Sequence, residues 1–171
     1  MLMRPNESDI PAIVDLVNRA YRGWGEQRSW TVEDFIAEPR ADEDEIRQDL
    51  ADPSVRLLIV RDGATGAPIA TVRLQDEGHG LWQLGMLSVD PARQQDGLGQ
   101  RVMAAAEDAA RSAGARRMRL YVVHRRPELL QWYGRRGYGP TGETRPFPGQ
   151  ASGSGSDAGN DLHFVLLEKT L

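Results

Sequence analysis

The chain of 171 residues contains no cysteine, which excludes disulfides, thiolate metal sites and a cysteine nucleophile, and suits a reducing compartment. Lysine is nearly as scarce. Lys169 stands alone, so the Gly-Lys-Ser/Thr of a P-loop cannot be assembled. The histidines, His79, His124 and His163, lie far apart without ligand spacing, and no metal is expected. No apolar run reaches the length of a membrane span, and the opening MLMRPNESDIPAI lacks the apolar core of a signal peptide. A soluble, cytoplasmic protein with no membrane partner is the expectation. No internal repeat occurs. The length suits one domain over residues 1–171, with a flexible loop at about 146–160 where proline, glycine and serine crowd together.

The net charge of −4 conceals an uneven distribution. Between Glu26 and Asp52 ten acids stand against Arg28, Arg40 and Arg47, whereas between Arg111 and Arg136 eight arginines stand against Glu128 alone. Two readings follow. Either each block is a solvated face, or the basic half holds phosphates while the acidic half attracts a cation. Nucleic acid is not expected as a partner, because the overall charge is negative and the arginines fall on a helix and strand that already have a role.

The stretch from Leu81 to Gly114 organises the rest. Leu84 to Val89 is apolar enough for a buried strand, Asp90 and Pro91 end it, and Leu98 to Ala113 has the composition of a helix. Between them, Gln94-Gln95-Asp96-Gly97-Leu98-Gly99 places glycines where the helix begins, so backbone amides can face an anion at the positive end of the helix dipole. A plain turn into a helix is the alternative. A dinucleotide-binding loop is excluded, because Met103 stands near the third glycine position and the next strand runs into Val122, Val123 and His124 without an acid.

Elsewhere, Met1 to Arg4 suits an edge strand, and Ser8 or Asp9 caps a helix whose apolar face includes Ile10, Ile13, Leu16, Val17 and Ala20. Tyr21 to Trp30 has no period and is taken as a loop. Short helices are expected over Thr31 to Ala37 and Asp42 to Leu50. Val55 to Arg61 and Pro68 to Leu74 form a hairpin across Asp62-Gly63 and Gly66. Arg116 to Val123 is a strand parallel to the central one, Glu128 to Arg136 a short helix after Pro127, and Leu162 to Leu167 a final strand. The sum is α/β: a mixed, mostly antiparallel sheet with one parallel strand pair and helices on both faces.

Two motifs resemble the GNAT superfamily of acetyl-CoA-dependent N-acetyltransferases. Leu87-Ser88-Val89-Asp90-Pro91 with Gln94-x-x-Gly97-x-Gly99 is similar to that family's central strand and Gln/Arg-x-x-Gly-x-Gly/Ala loop. Trp132-Tyr133-Gly134-Arg135-Arg136-Gly137-Tyr138 is similar to its later Tyr-x-x-x-Gly-Phe/Tyr signature. The resemblance implies acetyl-CoA as cofactor, with CoA as product. Its pyrophosphate would lie against Gln94, Gln95, Asp96, Gly97, Leu98, Gly99 and Gln100, and its pantetheine arm beside Leu87 and Val89. A bulge near Leu87 would aim an N–H at the thioester carbonyl, and Tyr133 would give a proton to the leaving sulfur. An aromatic packed under the sheet is the other reading of Tyr133. Seven residues before Tyr133, where the family often has an asparagine that touches the cofactor, stands Arg126.

The base is not spelled out. The strand glutamate of some family members falls at Gln83, which cannot take a proton, and an amine of pKa near 10 costs about 4 kcal/mol to deprotonate at pH 7 unaided. Glu26, Glu33, Asp34, Glu143, His79, His124 and His163 are the candidates, with His124 best placed among the histidines and Glu26 within an aromatic set of Tyr21, Trp24 and Trp30 that can clasp a cation. The implied reaction is transfer of an acetyl group to the primary amine of a small molecule by direct attack in a ternary complex. The alternatives are a non-catalytic acyl-CoA sensor and a protein or peptide N-acetyltransferase. Pairing of the Leu162 to Leu167 edge in a homodimer is also expected.

Overall fold

The computed structural model describes residues 1–148 and 162–171. Most of the expected flexible loop lies outside the described residues. A six-stranded sheet runs in the order β1-β2-β3-β4-β6-β5, formed by β1 (Val55–Arg61), β2 (Pro68–Asp76), β3 (Leu81–Val89), β4 (Arg117–Val123), β5 (Gly139–Pro146) and β6 (His163–Thr170). All neighbours are antiparallel except β3 and β4, which the crossover helix α3 (Leu98–Ser112) makes parallel. The expected mixed α/β architecture is the one observed. Helix α1 (Ile10–Arg22) and helix α2 (Glu43–Ala51) pack with Leu57, Ile59 and Met86 on one face of the sheet. Residues Val102, Met103, Ala106 and Ala110 of α3 pack with Trp82, Leu84 and Leu120 on the other.

Several local expectations change. The Asp9 side chain does not cap α1: its carboxylate accepts the Asn6 amide at 2.8 Å and pairs with Arg61 at 2.7 Å, while Asn6 accepts the Ser8 amide in return. Met1 to Arg4 contributes a single bridge, Met3 to Ile59. No helix forms over Thr31 to Ala37. There the Thr31 hydroxyl donates to Ala20 O at 2.8 Å and the Glu33 amide to Tyr21 O at 2.7 Å, so contacts with the end of α1 outweigh the weak helix tendency of so short a segment. The segment expected to be an edge is an inner strand: β6 lies between β4 and β5, and the fully exposed β5 takes the edge. Pairing of a partner through Leu162 to Leu167 is therefore blocked.

The central strand is irregular at one place. Thr71 pairs with Ser88 but Arg73 with Gly85, so Met86 and Leu87 together oppose Val72. Met86 takes φ +51, unusual for a residue with a side chain. The extra residue reverses the alternation: Trp82 and Leu84 point to α3, Met86 to α1, and Val89 to α3 again. Pairing of β3 with β4 runs from Leu81 to Gln83 and then stops, although both strands continue. The two strands part from Leu84 onward.

Candidate active site

That parting is bordered by two cavities, both of which reach helix α4 (Pro127–Gly134). The first, about 390 Å³, lies between the start of α3 and α4, with Gly97, Gly99, Gln100, Trp132 and Arg136 in its walls and Leu87 and Val89 at its floor. The second, about 650 Å³, is framed by Gln83, Gly85 and Met86 of β3, by Tyr121 to Val123 of β4, and by Arg40 and Phe147 from loops. Tyr21, Leu129 and Tyr133 line both. A group passed between the cavities would go past the Tyr133 ring.

In the first cavity the helix start is shaped for an anion. Gly97 holds φ +68, and a Cβ added there would meet no atom within 4 Å, so this position lies open to the cavity. At Gly99 a Cβ would come 3.6 Å from Val89 and 3.9 Å from Trp132, which leaves backbone as the cavity wall. Arg101 N–H donates to Gly97 O at 3.2 Å as the first helical bond, so the amides of Leu98, Gly99 and Gln100 point forward without intrahelical partners. Arg136 lies 3.5 Å above the Trp132 ring, and its buried Nε has no hydrogen-bond partner among the described residues. Burial, then the neighbouring Arg135 charge, lowers the affinity of Arg136 for its proton, as a bound anion would reverse. These residues fit a phosphate-bearing cofactor.

Not every expected cofactor residue turns to that cavity. Gln94 lines it, yet its side chain clamps the preceding loop: Oε1 accepts the Trp30 amide at 3.1 Å while Nε2 donates to Ser29 Oγ at 2.7 Å and to Val89 O at 3.3 Å. Gln95 and Asp96 are exposed in a 3-10 turn, and Leu98 is buried in the core below the cavity. Arg126 is 2% exposed and ties loops together, donating to Thr31 O at 2.9 Å and Glu128 at 2.9 Å and pairing with Glu33 at 3.5 Å. Its Nη2 has no partner among the described residues.

Tyr133 is 6% exposed, with its ring edge-on to Trp132 and Tyr138. Burial, followed by the nearby Tyr21, pushes its phenol well above the ordinary value despite the opposing charges of Arg126 and Arg136. Its proton is held firmly at neutral pH. Tyr21 donates to Leu87 O at 3.3 Å, so it is fastened to the bulge itself. The sequence placed Tyr21 in an aromatic set with Glu26, Trp24 and Trp30, and the fold separates them. Trp30 borders the first cavity and packs on Trp132, while Glu26 and Trp24 are exposed and line neither cavity.

Of the base candidates, Glu33 lines the second cavity, as does Gln83. Glu33 is occupied: Oε2 takes Arg22 at 3.1 Å and Oε1 faces Arg126. His124 stacks on His163 with centroids 4.0 Å apart, and neither ring lines either cavity, nor do Asp34, His79 and Glu143. Arg22, Arg40 and Tyr121 were not foreseen as cavity residues. An arginine in a loop carries no sequence signal of the surface it faces. Among the described residues no cluster of three possible ligands exists to hold a metal.

The comparisons with known proteins agree with this geometry. The model of the Acetyltransferase (GNAT) family matches residues 12–138, and the chain belongs to that family. It is thus an acetyltransferase of a family that uses acetyl-CoA. No curated protein matches it. Among solved structures, it is similar to the ribosomal-protein-S18-alanine N-acetyltransferase from Escherichia coli, with 15% identity, a TM-score of 0.73, and coverage of 99% of this chain and 92% of that one. The PaiA N-acetyltransferase from Thermoplasma acidophilum, solved in complex with coenzyme A, matches at 13% identity and a TM-score of 0.71 over 100% of this chain and 98% of its own. A spermidine N-acetyltransferase variant from Vibrio cholerae matches at 17% identity and a TM-score of 0.69 over 99% and 94%. At such identities the likeness is one of fold.

Proposed function

We propose that the protein transfers the acetyl group of acetyl-CoA to the primary amine of a small molecule, by direct attack with both substrates bound. The observation that carries this reading is the meeting of two cavities at the parted β3 and β4 strands, with Tyr21, Leu129 and Tyr133 shared between them. Gly97, Gly99 and the forward amides of Leu98 to Gln100 would hold the pyrophosphate, with Arg136 as the nearby cation. The backbone of Leu87 and Val89, where β3 has parted from β4, would lie beside the pantetheine arm. Bound acetyl-CoA supplies a thioester carbonyl as electrophile. Tyr133 keeps its proton on Oη for the departing sulfur, while Gln83 is placed to hydrogen-bond the amine. Glu33 is the one candidate carboxylate that lines the second cavity and it is paired, so the amine would lose its proton to water there.

The chain is proposed to work as one unit in the cytoplasm, which the near-complete coverage by the related folds and the lack of cysteine support. The test is calorimetric titration with acetyl-CoA, with CoA and NAD as controls, followed by a thiol-release screen of small amines. Tight binding selective for CoA, and release dependent on an amine, is the expected result. A folded protein that ignores acetyl-CoA overturns the reading, and binding without turnover on any amine would instead favour a sensor.

A further inference from the structure

This inference rests on the acetyltransferase reading and concerns the second substrate. The acidic block between Glu26 and Asp52 invites the expectation of a cationic acceptor, but the second cavity is not acidic. Arg22, Arg40 and Arg145 line it against Glu33 and Glu38. The Glu33 charge is met by Arg22 at 3.1 Å and by Arg126 at 3.5 Å, the latter shared with Glu128 at 2.9 Å. The acidic residues of α2 do not line this cavity, although Glu45 stands 3.8 Å from Arg40, and among the lining side chains three arginines face two glutamates.

Two of the arginines have guanidinium groups to offer. Arg40 reaches Glu45 only at 3.8 Å and Arg145 reaches Glu143 only at 3.9 Å, both beyond hydrogen-bond length. Arg40 is also held in place. Buried Asn18 accepts the Arg40 amide at 2.7 Å and donates to Ala41 O at 2.9 Å, so the backbone that carries this arginine is pinned to α1. Its guanidinium sits 5.4 Å over the Tyr21 ring, at the entrance to the shared region. Between the arginines and the parted strands the walls are apolar and aromatic: Tyr121 lies edge-on to Phe164, and Phe147 packs against it at 5.2 Å.

We propose that the acceptor is an amino acid, a small primary amine that also bears a carboxylate, with an apolar or aromatic side chain. The carboxylate is read by Arg40 and Arg145, and the side chain lies against Tyr121, Phe147 and Phe164. The amine then faces Gln83 and Tyr133. A polycation is disfavoured, because it would bring further positive charge to a positive cavity. The same charges favour the neutral, nucleophilic amine over its ammonium form, which eases the lack of a buried, unpaired carboxylate base. The nitrogen attacks the acyl carbon, the carbon–sulfur bond breaks, the thiolate takes the Tyr133 proton, the proton from nitrogen passes to water, and water returns a proton to the Tyr133 oxygen.

The experiment compares L-phenylalanine with phenethylamine, which lacks only the carboxylate, and with spermidine. Each is titrated calorimetrically into protein saturated with CoA and assayed for thiol release with acetyl-CoA. Phenylalanine is expected to bind roughly 10-fold or more tightly than phenethylamine, as a charge-assisted bidentate contact permits. Both Arg40→Gln and Arg145→Gln should collapse that ratio, mainly through KM. Phenethylamine or spermidine binding as well as phenylalanine overturns the proposal, as does an undiminished ratio in both variants, or silence from all three with acetyl-CoA binding intact. Failure to bind acetyl-CoA itself overturns the acetyltransferase reading, and this proposal with it.

Discussion

At the scale of single residues, the site depends on two positions with opposite demands. Under the proposed function Gly97 must be uncharged because it stands open to the cavity that would hold phosphate, while its φ of +68 is one that aspartate adopts more readily than most side chains. Gly97→Asp should therefore fold and lose roughly 10-fold or more in CoA affinity, since the new carboxylate would face phosphate. Calorimetry checks this, and unchanged affinity would show that the amides of α3 do not carry the pyrophosphate. Tyr133 makes the opposite contribution, a proton that burial holds in place. In Tyr133→Phe we expect turnover to drop by roughly 100-fold with CoA affinity preserved. Loss of affinity and turnover in proportion would mean that the ring serves only as packing.

At the scale of elements, the fold turns on where α1 is tied. Asp9, just before the helix, is doubly bonded to Arg61 at 2.8 and 2.7 Å, and this pairing holds its carboxyl below the ordinary range. A depressed folded-state pKa stabilises the protein above the unfolded value, about 3.9, and the benefit disappears as pH falls through the folded value. Asp9→Asn should lower the melting temperature at pH 7 and converge with the parent in strong acid. A constant gap across the titration would show that the lost hydrogen-bond geometry, and not the charge, matters. The other end of α1 supplies Tyr21 to the bulge and Arg22 to Glu33, so this helix links the hairpin edge to the centre of the site.

At the scale of the molecule, the arrangement separates the cavity at the start of α3 from a second cavity that contains no unpaired buried acid. With no such base, kcat/KM for an amine acceptor should climb with pH at unit slope until the free amine is itself neutral. A plateau near pH 7 in the pH–rate profile would reveal a protein base and contradict the assignment of Glu33 as occupied. The division of charge along the chain also resolves at this scale. The acidic block does not make an acidic pocket, because Glu33 is met by Arg22 and Arg126 while Asp42 caps α2, Asp44 is exposed on it and Glu45 turns to Arg40.

By itself the amino-acid sequence determined the β1–β2 hairpin, the central strand with its glycine loop, α3 and the short helix carrying Tyr133, because each is encoded by neighbours in the chain: alternation, helical period, and glycines at the turns. The helix start at Gly97 and Gly99 that walls the first cavity was legible for the same reason. Tertiary structure alone decided what depends on distant partners. Thr31 to Ala37 gave up helix for bonds to Ala20 and Tyr21, β6 was buried by a β5 whose Gly139 to Pro146 carries no alternating apolar signal, and Gln94 and Arg126 turned to the loop at Ser29 to Glu33. The second cavity is built from α1, two loops and both halves of the parted strands. Its balance of charge arises from side chains that meet only in space, which a run of acids in the chain does not disclose.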